Sequence, residues 1–142
     1  MLNRILLTCI FAALTVNVGQ ALDHSTSKIV IPVGKTSAAD GKQMFTNYCA
    51  PCHGTDGRGH GSASGALKVS PTDLSTLTST NNGKFPVTHL LSVLRFGLDH
   101  PSANGQMPVW GKVFAHMEPL SEVSVQQRTT NVIEYVRGLQ VR

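Results

Sequence analysis

The sequence predicts a compact all-α domain with long loops, and three observations carry that prediction. Apolar residues recur at helical spacing in three stretches, residues 36–48, 86–96 and 122–138. The run richest in β-branched residues, Lys28-Ile29-Val30-Ile31-Pro32-Val33, is interrupted by Pro32 and has no second strand to pair with. Between the helical stretches Gly, Ser, Pro and Asn accumulate, which is loop chemistry.

The chain opens on a short basic start, Met1–Arg4, followed by the apolar run Ile5–Val18 and then Gly19-Gln20-Ala21. This order reads as a secretory signal peptide over residues 1–21, cleaved after about Ala21. The apolar run is shorter than the roughly 20 residues a spanning helix needs, which argues against a retained anchor. Residues 22–35 form an extended arm laid on the surface of a domain over residues 36–142. The mature chain of about 120 residues is long enough for a single core. Losing Arg4 with the leader leaves 11 basic residues against 8 acidic ones. No basic cluster stands out, so nucleic acid is excluded as a partner class.

In the first helix Thr36 or Ser37 serves as the cap, Asp40 lies in the first turn, and Met44, Phe45 and Tyr48 share one face up to about Tyr48. That helix delivers Cys49-Ala50-Pro51-Cys52-His53, a C-x-x-C-H motif. This spacing is the attachment signature of a c-type haem. Each thiol can add across one vinyl group of the porphyrin, and the following histidine then lies beneath the iron. A thioredoxin-like redox pair would need alternating strands and helices, which are missing. A zinc site would need a further Cys pair or a spaced His pair. Cys9 leaves with the leader, so Cys49 and Cys52 are both used by one haem c and no disulfide framework remains.

Residues 54–65 are dense in Gly and Ser and read as a compact surface loop. A phosphate cradle is a poor alternative, because no strand precedes the loop and no Gly-Lys-Ser/Thr ends it. Order resumes at Pro71-Thr72-Asp73-Leu74-Ser75, with Leu74 and Leu77 as apolar contacts. Pro86–Phe96 reads as a second helix stopped by Gly97, with Val87, Leu90, Leu91 and Leu94 apolar. The last helix runs from about Glu122 to Gly138, capped by Ser121, with Val125, Val132, Ile133, Val136 and Leu139 at helical spacing.

Haem iron has a second axial position. The best candidate is Met107, in Asn104-Gly105-Gln106-Met107-Pro108-Val109-Trp110. A thioether favours ferrous iron, Pro108 biases Met107 into extended backbone, and Asn104-Gly105 supplies a turn. Most methionines only fill core space, Met44 is too near the motif, and Met117 is the second choice. Any of His24, His60, His89, His100 and His116 could in principle give a bis-His haem, but each alone is more often a surface or packing residue, and none outranks Met107. His100 and His116 are read in loops flanking Met107. The metal ligands are thus expected to be His53 and Met107. Leu74, Leu90, Leu94, Val109 and Trp110 are expected to line the cofactor, the Trp110 ring N–H serving a propionate or a backbone carbonyl.

The order helix, C-x-x-C-H, Gly-rich loop, Pro-x-Asp-Leu, helix, Met-Pro loop, terminal helix resembles the class I (mitochondrial-type) cytochromes c. The loop Met107-Pro108-Val109-Trp110 is similar to the Met-Pro-x-Trp loop of small bacterial monohaem cytochromes c. The resemblance spans about residues 38–140 and implies the class I fold, with helices wrapped around one covalently attached haem. It also implies that Gly41 and Phe45 cross the terminal helix at Tyr135, and that a backbone carbonyl at Pro71 holds the imidazole N–H of His53. The function it implies is an exported, periplasmic one-electron carrier rather than an enzyme. Its partners would be redox proteins met transiently, a membrane-bound oxidase or dehydrogenase among them. Two readings stay open: an electron-entry subunit of such a complex, and a ligand-binding or peroxidatic haem protein with Met107 off the iron.

Overall fold

The computed structural model describes residues 30–98, 106–117 and 122–141. The leader, residues 22–29 of the arm with His24, the Asn104-Gly105 turn, His100 and the Ser121 cap lie outside the described residues.

Helical backbone begins at α1 (Gly41–Met44), widens into a π-helical segment (Phe45–Cys49) and continues as α2 (Ala50–His53). The helix therefore does not end at Tyr48 but carries the whole Cys-x-x-Cys-His motif. Its cap is Asp40, whose carboxylate accepts from the Gln43 N–H at 2.8 Å, and not Thr36 or Ser37. Pro51 gives the π turn its reason. Its ring has no N–H to donate and would press on the carbonyl one turn back in a straight α-helix. The wider turn, closed by the Ala50 N–H on the Phe45 carbonyl, relieves that conflict.

The loop from Gly54 then folds back over the end of α2. Gly59 N–H donates to the His53 carbonyl at 2.7 Å, Gly61 N–H to Cys52 at 3.0 Å and Ala63 N–H to Pro51 at 2.8 Å. The last carbonyls of the helix, which have no intrahelical partner, are satisfied this way. Only glycine fits at position 61, where a Cβ would lie 2.3 Å from the Pro51 oxygen.

Asp73 caps a 3-10 turn (Leu74–Thr76) that leads into α3 (Leu77–Thr80). Pro86 precedes α4 (Val87–Phe96), which stops at Gly97 with φ 92°. A helix absent from the sequence reading follows Pro108: α5 (Trp110–Met117), which places Trp110 and His116 on a helix rather than in a loop. Its residues Trp110, Val113, Phe114 and Met117 stand at i, i+3, i+4 and i+7 and all meet the core. The last helix, α6 (Glu122–Gly138), runs as expected. Among the described residues there is no strand, and no helix is long and apolar enough to cross a membrane.

α6 is the hub, packed by α1, α4 and α5. α1 crosses it at Gly41, where a Cβ would lie 2.1 Å from the Asn131 carbonyl oxygen. Beside that crossing the Phe45 and Tyr135 rings pack with centroids 5.1 Å apart. Tyr48, Trp110 and Phe114 form an aromatic cluster against α6, with Tyr48 and Trp110 stacked at 5.4 Å. The chain end returns to the 3-10 turn: Gln140 spans the Thr78 N–H and the Leu74 carbonyl, and the Val141 N–H donates to Ser75 at 2.9 Å.

Candidate cofactor site

The elements meet around a cavity of about 370 Å³. Cys49, Cys52 and His53 reach it from the π segment and α2, Leu74 from the 3-10 turn, Met107 from the loop before α5, and Trp110 from the first turn of α5. Leu90, Val93 and Leu94 of α4 and Val132, Ile133 and Val136 of α6 complete an apolar wall. Cys49, Cys52, His53, Pro71, Leu74, Met107 and Trp110 thus border one space, as do Leu90 and Leu94.

Two details differ from the sequence reading. The His53 Nδ1 is 3.0 Å from the Thr72 carbonyl, one residue beyond Pro71. The Pro71 carbonyl is instead turned onto Gly59, where an added Cβ would come within 2.5 Å of it. Pro71 still lines the cavity, but the imidazole is not held by its carbonyl. Val109 is not part of the lining: its side chain faces Gly97, and Pro108 takes the place at the wall.

The electrostatics suit a neutral, apolar occupant. Burial, with the neighbouring Cys52, pushes the Cys49 thiol up to about 12, and burial raises Cys52 as well. Burial thus penalises the charged thiolate here, whereas a thioether carries no charge to desolvate. Burial lowers the pKa of His53, opposed by its bond to Thr72. With Nδ1 donating to that carbonyl, the neutral ring keeps the Nε2 lone pair available for a metal. Among the described residues no cluster of three or more His, Cys, Asp or Glu could hold a metal ion by itself. These walls fit a large flat apolar group anchored through two thioethers and one imidazole.

Several lining residues carried no individual signal in the sequence. Gln106 is one: its Oε1 accepts from the Lys68 and Val69 N–H groups at 3.1 and 3.3 Å and ties residues 67–69 to the Met107 loop. His89 on α4 also borders the cavity, as does Ile31 from the arm. Tyr48 and Phe45 belong to the wall too, consistent with their helical face. Of the methionines, Met44 is buried beside Arg128 and Met117 borders a second cavity between α5 and residues 33–35.

No curated protein and no solved structure matches the chain. The family model described as Cytochrome c matches residues 38–140, which includes every element that walls the cavity except the arm. The chain belongs to the cytochrome c family, haem-binding electron-transfer proteins that hold haem c covalently.

Proposed function

We propose that this is an exported class I monohaem cytochrome c, close to the small bacterial forms, that carries single electrons between redox proteins. The observation that supports it best is the lining of one cavity by Cys49, Cys52, His53 and Met107 together. Cys49 and Cys52 would hold the haem by thioethers, and His53 and Met107 would bind its iron. When bound, the haem supplies a one-electron couple between ferric and ferrous iron.

The chain's own residues do the rest. Thr72 fixes the ring of His53 through Nδ1, and Gln106 pins the segment that presents Met107. The apolar faces of α4 and α6 keep water from the cavity, which favours the state of lower charge. With His53 and Met107 both binding the iron, no site would be left open for substrate, and the activity would be transfer and not turnover. Residues 1–21 are a leader removed on export to the periplasm. Partners are transient redox proteins, a membrane-bound oxidase or dehydrogenase among them, and docking is small in area as for redox encounters generally.

Mass spectrometry of the exported protein tests this directly. The expected mass is that of residues 22–142 plus one haem, with haem resistant to acid-acetone extraction. Cys52→Ala should lose one thioether and most holoprotein. Extractable haem in the wild type would refute the assignment.

A further inference from the structure

We propose that Ile31–Thr36 is a strap that completes the cofactor wall and, by clamping Tyr48, excludes water and holds the reduction potential up; this rests on the haem-carrier reading above. The segment is selective in what it buries. Val30 is 74% exposed and Val33 45%, yet Ile31 between them lines the cavity. A segment merely resting on the surface would not direct one apolar side chain into the site and leave its neighbours in water.

The clamp is a directed chain of hydrogen bonds. The Tyr48 hydroxyl has one proton, which it donates to the Gly34 carbonyl. The Thr36 hydroxyl, 2.9 Å away, therefore donates to the Tyr48 oxygen, and the Arg128 guanidinium donates to Thr36 at 3.1 Å. Thr36, Tyr48 and Arg128 are all buried, so the two bonds among them are shielded from competition by water, while the Tyr48 bond to Gly34 is part-buried. Tyr48 passes the constraint on, because its ring lines the cavity and stacks on Trp110, which also lines it. The strap thus reaches the cofactor twice, directly through Ile31 and through Tyr48.

An apolar shell disfavours the extra charge of ferric haem, and water admitted to it stabilises the ferric form. Loosening the strap therefore lowers the potential. The test uses full-length holoprotein, with haem attachment first established by acid-acetone extraction and midpoint potentials then read by redox titration. Ile31→Ser and Tyr48→Phe should shift the midpoint downward. Val30→Ser, which alters an exposed neighbour, should titrate with the wild type. Extractable haem in the wild type would remove the functional reading and the strap with it. With haem in place, an unchanged potential in Ile31→Ser, or an equal shift in Val30→Ser, would overturn the strap alone.

Discussion

Replacing Gly41 by valine strikes the contact on which the helical frame turns. A Cβ there would lie 2.1 Å from the Asn131 oxygen and 2.6 Å from its carbonyl carbon. Ordinary contact begins at 3.4 Å, so α6 would have to withdraw by about 1.3 Å. The obstacle is backbone, which cannot rotate aside as a side chain would. The same stretch of α6 sends Val132, Ile133 and Val136 to the cavity and Tyr135 to Phe45, so withdrawal loosens packing on both sides. Overpacking costs about 1–3 kcal/mol, and this site belongs at the upper end. For a domain of this size that corresponds to a loss of roughly 10–15 °C in Tm. The assay is thermal unfolding of purified holoprotein by far-UV circular dichroism. Gly65→Ala is the control, since a Cβ at that position meets nothing within 4 Å. A Gly41→Val protein that melts with the wild type would refute the placement of the crossing.

Other residues give independent checks. Phe45, fully buried, should cost about 3–5 kcal/mol on truncation to alanine, read from the same melting curves. Gln106→Ala removes the acceptor of two N–H groups, and should cost about 1–2 kcal/mol while lowering the fraction of Met-ligated ferric haem seen by absorption. The Asp73 carboxyl is held below its usual 3.8, chiefly by the Ser75 hydroxyl that bonds it. Its contribution to stability is therefore complete above that value and is lost as pH falls through the lower, folded value. Melting curves across acid pH should show Asp73→Asn with a shallower acid loss than the wild type.

What could be read from the sequence followed from spacing, and what could not followed from backbone direction. The Cys-x-x-Cys-His motif, α4 with its Gly97 stop and the apolar face of α6 needed only periodicity and turn chemistry. α5 was also legible, since Trp110, Val113, Phe114 and Met117 keep the helical period. The Asn-Gly and Met-Pro signals just before it pulled the reading towards a long loop. No residue pattern announced the π turn, although Pro51 supplies its cause once the helix is seen to continue. The exchange of the Pro71 carbonyl for that of Thr72 is a matter of which way one peptide faces, fixed by the approach of Gly59. The arm was read as surface because Pro32 breaks its run. Ile31 borders the cavity and Gly34 accepts from the Tyr48 hydroxyl, contacts that sequence spacing does not encode.

We propose that His53 and Met107 together close the iron's coordination and make the protein a carrier. The ferric absorption spectrum tests it most directly, through the weak far-red charge-transfer band of an iron–thioether bond. The band should be present in the wild type and in Met117→Ala, and absent in Met107→Ala, whose ferrous form should bind carbon monoxide. A wild type without the band, or one whose spectrum is unchanged by Met107→Ala, as ligation by His89 would give, would contradict it.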